Sequence, residues 1–268
     1  MAKAETITSA ANPLLKDVRR AMVRGGLTEQ GWCIAETFHL LEEALRSDCE
    51  VKTVLAADSV RSAAEAHVRR LAGVKVVVLP DALFQRLSGT ETSQGVMALV
   101  KPPAWSLEQL FRGCPLVVVL DGLQDPGNAG TIVRAAEAFG ATGVLFLKGS
   151  VSPYNPKTVR AAAGSLFRIP FLHGLDAALA LAAVRQHRVD LYAGMPARSG
   201  SAVRSLAEVD LTGRCGLVIG NEARGVGGEL GSAAITVSIP TVGVESLNAA
   251  VAAGILLYEA RRQRAQRA

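Results

Sequence analysis

Apolar positions along the chain follow two periods. After Asn12-Pro13, the residues Leu14, Val18 and Met22 recur every four, while Lys16, Arg19, Arg20 and Arg24 gather elsewhere on the same turns. This spacing predicts an amphipathic helix with a basic face. From Trp32 to Val100, short apolar runs alternate with helical patterns. Trp32–Ala35, Val51–Ala56, Val74–Leu79 and Val96–Val100 predict strands, and Phe38–Arg46, Ala63–Leu71 and Asp81–Leu87 predict helices, so residues 1–100 read as a small α/β domain. Lys101-Pro102-Pro103-Ala104 breaks both periods, because consecutive prolines lack amide donors and restrict the residue before them. A linker is placed over residues 101–114. Beyond it, Leu116–Leu120, Gly143–Leu147, Leu166–Phe171, Leu191–Ala193, Gly216–Ile219 and Ala234–Ile239 predict strands, with helical patterns in most gaps and a last helix from about Leu247. Near-continuous apolar strands separated by helices predict a mostly parallel sheet covered on both faces over residues 115–268. The expected fold is α/β, with a larger C-terminal domain and a smaller N-terminal one.

Composition adds exclusions. Hydrophobic residues make up 49% of the 268 and charged residues 20%, which permits a buried core and argues against disorder. No apolar stretch approaches the roughly 18 residues of a membrane span, and residues 1–11 lack the apolar core of a signal peptide, so a cytoplasmic protein is expected. Cys33, Cys49, Cys114 and Cys215 show no C-x-x-C spacing, and His39, His67, His173 and His187 are scattered, so neither a disulfide framework nor a metal site is expected. The net charge is +5, and its location matters more than its size. Residues 1–100 hold 12 basic and 12 acidic side chains, so the surplus lies beyond them, partly in Arg261, Arg262, Arg264 and Arg267. That tail fits either a solvated helix end favoured by the helix dipole or a phosphate contact.

In open α/β sheets, ligands sit at the carboxyl ends of the strands, so the loops there carry the chemistry. Three are unusual: Asp121–Gly130, Gly220–Gly228 and Pro240–Asn248. None contains G-x-G-x-x-G or G-x-x-x-x-G-K-[ST], which argues against a nicotinamide dinucleotide or a nucleoside triphosphate. Their glycines fit tight turns as well as ligand approach. The polar residues Asn128, Arg134, Glu222, Ser246 and Asn248 bracket three neighbouring strand ends and contain no Ser-His-Asp or Cys-His set, which disfavours covalent hydrolysis. Each alone has a structural explanation: Asn128 as a cap ahead of a helix at Thr131, Arg134 in a surface ion pair, Ser246 as a cap for the last helix.

Taken together, the three loops resemble the three motifs of the SpoU, or TrmH-type, family of RNA 2′-O-ribose methyltransferases within the SPOUT class. Asp125-Pro-Gly-Asn-Ala-Gly-Thr-Ile-Val-Arg134-Ala-Ala is similar to the first motif, Val218-Ile-Gly-Asn-Glu222-Ala-Arg-Gly225 to the second, and Ile239-Pro-Thr-Val-Gly-Val-Glu-Ser-Leu-Asn248-Ala-Ala-Val to the third. The order and spacing agree as well. Asn155-Pro-Lys157-Thr-Val-Arg160-Ala-Ala-Ala-Gly-Ser-Leu-Phe resembles a further family segment, with Ala162 where a hydroxyl residue is common. Residues 1–100 resemble the family's substrate-binding domain more loosely, with Thr37 and His39 standing where relatives commonly have Gly and Arg.

This resemblance implies a trefoil-knotted domain that binds S-adenosylmethionine, with Gly220, Ile239, Leu247 and Gly194 at the cofactor. It implies a homodimer that methylates a ribose 2′-hydroxyl, with Arg134, Asn128, Glu222, Ser246 and Asn248 as the catalytic set and no metal. Lys16, Arg19, Arg20, Arg24, Lys157 and Arg160 are expected on the RNA. The extra N-terminal domain favours ribosomal over transfer RNA by analogy. A transfer-RNA methyltransferase and a non-catalytic RNA-binding protein of the same fold remain the alternatives.

Overall fold

A computed structural model describes residues 5–69, 71, 73–90, 92–195, 203–244 and 246–267. These fall into two compact units, Met1–Ala104 with Tyr154–Arg168, and Trp105–Pro153 with Ile169–Ala268.

The first unit has a five-stranded sheet in the order β1-β4-β3-β5-β2, built from β1 (Glu5–Thr6), β2 (Cys33–Glu36), β3 (Glu50–Ala57), β4 (Lys75–Leu79) and β5 (Val96–Lys101). β1, β4 and β3 pair in parallel, whereas β5 is antiparallel to both β3 and β2. Its helices are α1 (Pro13–Arg24), α2 (Phe38–Leu45), α3 (Arg61–Val68) and α4 (Asp81–Leu87). Asn12 caps α1, its Oδ1 accepting from Leu14 N at 2.9 Å, and Pro13 occupies the first turn, where a missing N–H costs nothing. Gly25 ends α1 at φ +65°. The buried stripe of α1 is Leu15, Val18 and Ala21, one position off the expected Leu14 and Met22, which are half-buried at its flanks. The stripe joins Trp32, Ile34, Leu55, Val77, Leu79, Phe84 and Met97 in one core.

Tyr154–Arg168 also packs in this unit, although the sequence pattern puts it within the second domain. Its helix α7 (Pro156–Ala161) buries Thr158 and Val159. Glu36, only 2% exposed, receives Arg160 Nη1 at 2.9 Å, Thr90 Oγ1 at 3.2 Å and the Ser88 hydroxyl. Arg168 pairs with Glu43. Two glycines permit the approach: a Cβ on Gly25 would lie 2.7 Å from Asn155 Nδ2, and one on Gly164 2.7 Å from Glu43 Cβ. The expected strand over Leu166–Phe171 is corrected here. Ser165–Phe167 forms a 3-10 turn after Gly164, whose φ is +93°.

The second unit has a seven-stranded sheet in the order β10-β12-β9-β11-β6-β7-β8. Its strands are β6 (Leu116–Asp121), β7 (Gly143–Leu147), β8 (Phe171–Leu175), β9 (Asp190–Gly194), β10 (Arg204–Ser205), β11 (Cys215–Gly220) and β12 (Ile235–Ser238). Every pairing is parallel. β6, β7 and the body of β11 are apolar and buried on both faces, as strands of a covered parallel sheet must be. The helices are α5 (Leu107–Leu110), α6 (Pro126–Ala138), α8 (Ala177–Gln186), α9 (Gly228–Ala233) and α10 (Ala249–Ala265). Gly220 pairs with Asp121 and Gly194 with Val237, so the loops after β6, β9, β11 and β12 leave one edge of the sheet. No helix among the described residues is long and apolar enough to cross a membrane.

Candidate active site

The chemistry is concentrated where β6 and β11 end side by side. α6 begins at Pro126 with Asp125 as its cap, Asp125 Oδ1 accepting from Asn128 N at 2.6 Å. This corrects two expectations: the helix starts five residues before Thr131, and Asn128 lies inside its first turn instead of capping it. The loop after β11 folds back on its own strand, with Asn221 and Gly225 exchanging backbone hydrogen bonds of 3.0 and 2.8 Å. A Cβ on Gly220 would lie 2.2 Å from Gly225 C, so that glycine is demanded by the close return of its own loop. Asn221 Nδ2 donates to Gly122 O at 2.9 Å, and Asp121 Oδ2 accepts from Gly227 N at 3.1 Å, fastening the loop at both ends to the β6–α6 turn.

Glu222 is thereby held at the start of α6. Its Oε1 accepts from Asn128 Nδ2 and Asp125 N, both at 3.3 Å, and its Oε2 from Gln124 N at 3.4 Å. Burial alone would raise its carboxyl, but hydrogen bonds from its own N–H, the Asn128 amide and the Asp125 and Gln124 N–H groups outweigh it and hold Glu222 below the ordinary glutamate range. Asn128 Oδ1 in turn accepts from Asn248 Nδ2 at 3.0 Å, and Asn248 Oδ1 caps α10 by accepting from Ala250 N at 2.9 Å and Val251 N at 3.2 Å. Asn248 is therefore the cap that Ser246 was expected to be.

These bonds form one directed chain from the α10 terminus through Asn248 and Asn128 to Glu222. Both amide orientations are fixed by it, and each Nδ2 keeps a second N–H for a ligand. Three of the five expected residues thus meet. Ser246 is exposed, and so is Arg134 on α6, with no hydrogen bond or ion pair to another described side chain. Asp121, Asp125 and Asn221 escaped sequence reasoning as site-building residues. Asp125-Pro126 was the available signal, being a cap residue followed by proline in the first turn.

The four expected cofactor positions are Gly194 at the end of β9, Gly220 at the end of β11, and Ile239 and Leu247 on the loop from β12 to α10; all four are half-buried. They offer strand-end backbone and aliphatic surface with no cation, a donor set suited to a ligand lacking phosphate. Among the described residues, no three His, Cys, Asp or Glu side chains group as a metal would require. A surface cleft of about 740 Å³ beside α8 and α9 is lined by residues such as Leu181, Arg185 and Glu229 and contains none of the polar set.

The basic residues divide. Lys16, Arg19, Arg24 and Lys157 are exposed and unpaired among the described side chains, whereas Arg20 pairs with Glu29 and Arg160 with Glu36. In the tail, Arg264 donates to Leu211 O at 3.0 Å, Cys114 O at 3.1 Å, Pro115 O at 3.0 Å and Gly213 O. Arg262 pairs with Glu259 at 2.7 Å and Arg267 with Asp210 at 3.2 Å. The structural reading of the tail therefore prevails for three of its four arginines.

Residues 115–258 match the SpoU rRNA Methylase family, and residues 12–98 match the MRM3-like substrate binding domain. The chain belongs to the SpoU family. It is 32% identical, over 95% of its own length and 98% of the relative's, to the 23S rRNA (guanosine(2553)-2′-O)-methyltransferase RlmP of Bacillus subtilis. Its fold is similar to that of an AdoMet-bound rRNA methyltransferase from Sinorhizobium meliloti, with a TM-score of 0.83, 28% identity and coverage of 97% and 98% of the two chains. The SpoU methyltransferase AviRb from Streptomyces viridochromogenes, in complex with AdoMet, gives a TM-score of 0.82 at 28% identity, covering 95% and 98%. As a SpoU-family member, the chain carries its polar chain of Asn248, Asn128 and Glu222 on all three motifs.

Proposed function

We propose that this protein methylates a ribose 2′-hydroxyl of ribosomal RNA with S-adenosylmethionine as donor. The observation that carries the reading is the Asn248–Asn128–Glu222 chain, a set of oriented amides and a carboxylate with no nucleophile–base pair beside it among the described residues. S-adenosylmethionine supplies an activated methyl group on a sulfonium, so what remains for the protein is positioning. Asn128 and Asn248 present their second amide N–H groups to the ribose, and Glu222 holds Asn128 in that orientation. Arg134, exposed and without a described partner, is free to clamp an RNA phosphate or polarise the hydroxyl; a guanidinium, having no lone pair to accept a proton, is a poor literal base. Support for ribosomal RNA comes from the RlmP likeness over both domains.

Residues 1–100 select the RNA site and residues 115–268 carry out transfer in this proposal, with a trefoil-knotted backbone around the cofactor and a cytoplasmic homodimer as the acting form. The resemblance of the three motif loops to the SpoU family supports the knot. Val251 and Tyr258 of α10, seven residues apart and half-exposed, with Tyr258 packed edge-on against Phe139, support an apolar dimer face. Transfer of labelled methyl to a 23S rRNA transcript, measured beside transfer RNA, tests the substrate. Incorporation into the ribosomal transcript is expected, and incorporation into transfer RNA alone would reverse the choice.

A further inference from the structure

The first unit has a cleft of about 350 Å³, within the roughly 300–1,000 Å³ typical of small-ligand sites, which the proposed reaction leaves unused. It opens where the carboxyl ends of β3 and β4, which run parallel, meet the start of the antiparallel β5. Ala57, Val60 and Phe84 form its apolar part, and Ser59, Asp81 and Gln94 stand around it. Gly95, at φ +74°, closes one wall; a Cβ there would lie 2.9 Å from Val60 Cγ2.

The polar groups are oriented. Gln94 Oε1 accepts from Phe38 N at 3.0 Å, which fixes the amide and leaves its Nε2 donors without a described partner. Asp81 Oδ1 accepts the Ser59 hydroxyl, and Oδ2 has no described donor. A donor amide and an acceptor carboxylate thus flank an apolar floor. Among the described lining residues Asp81 is the one ionic group, and it repels phosphate.

We propose that this cleft receives an unpaired RNA base, with guanine preferred. The proposal rests on the reading of the chain as an RNA methyltransferase and names what its substrate-binding domain reads. Single-stranded RNA is recognised through splayed bases hydrogen-bonded along their edges. Guanine offers two adjacent N–H-bearing groups, N1 and N2, to a carboxylate and its O6 to an amide donor. The other bases offer a carboxylate one such group. Asp81 takes the N–H pair and Gln94 donates to O6.

Fluorescence anisotropy of the full-length protein with oligomers of about ten uridines, carrying one central guanosine, one inosine or no replacement, tests this. The guanosine oligomer is expected to bind about fivefold or more tightly than the uridine one, with inosine, which lacks the N2 amino group, between them. Asp81→Ala and Gln94→Ala are expected to abolish the preference while the protein stays folded and keeps its S-adenosylmethionine affinity, with the thermal melt lowered only by the lost bonds to Ser59 and Phe38. Equal binding of the three oligomers by the wild-type protein, or a preference retained in both variants, overturns the proposal. Methyl transfer to a 23S rRNA transcript is scored separately. Its absence from the wild-type protein would remove the proposed function while leaving the base preference standing.

Discussion

Asn128 is the residue whose chemistry is most constrained, because it must donate to Glu222 and accept from Asn248 at once. Asn128→Asp keeps the shape, replaces the donor with a second carboxylate facing Glu222, and is expected to lower single-turnover transfer about a hundredfold or more, as misplacement of reacting groups does. The same substitution removes one of the hydrogen bonds that hold the Glu222 carboxyl down and leaves the backbone ones from Gln124, Asp125 and Glu222 itself. A carboxyl with a depressed folded-state pKa stabilises the protein above its unfolded value, and that contribution is lost as pH falls through the folded value. The stability advantage of the wild type over Glu222→Gln is therefore expected at neutral pH and should vanish on acidification below the ordinary glutamate range. Thermal melts across pH check this; an advantage that grew on acidification would contradict the assignment. Arg134→Ala should behave oppositely to a structural substitution. With no described partner to lose, it is expected to move stability by no more than about 0.5 kcal/mol and leave cofactor affinity unchanged while transfer fails.

Among the elements, the three motif loops were legible because parallel strands send their carboxyl ends to one edge, so residues far apart in sequence become neighbours by topology alone. The exact start of α6 was missed because Asn128 resembles a cap, whereas Asp125 followed by Pro126 holds that position. β8 was placed too early: its stretch Phe171–Leu175 contains His173 and Gly174, which interrupt the apolar run of an edge strand. The packing of Tyr154–Arg168 onto the first unit had no local signal, since it depends on Glu36 meeting Arg160 across 124 residues of chain. Removing one partner of such a buried pair strands the other charge. Arg160→Ala is expected to cost about 3 kcal/mol in urea unfolding of the protein, and a loss under about 1 kcal/mol would show that the pair is solvated. Arg264→Ala should likewise destabilise, by about 2 kcal/mol, because it orphans several carbonyls, while Arg261→Ala should be neutral.

For the whole molecule, net charge was a poor guide until the structure sorted paired from unpaired cations. Lys16, Arg19, Arg24 and Lys157 remain exposed without described partners, so they are the groups expected to release counterions on RNA. Replacing all four should flatten the slope of log affinity against log salt by about 3, at roughly 0.7 per phosphate contact on single strands. Replacing Arg262 and Arg267, already paired with Glu259 and Asp210, should leave that slope unchanged. The position of the transferred methyl tests the central reading most directly. A 23S rRNA transcript incubated with the protein and methyl-labelled S-adenosylmethionine, digested to nucleosides and resolved by mass spectrometry, should carry the label in a 2′-O-methylnucleoside. Label on a base, or none on RNA while the folded protein binds the cofactor, would contradict ribose methylation.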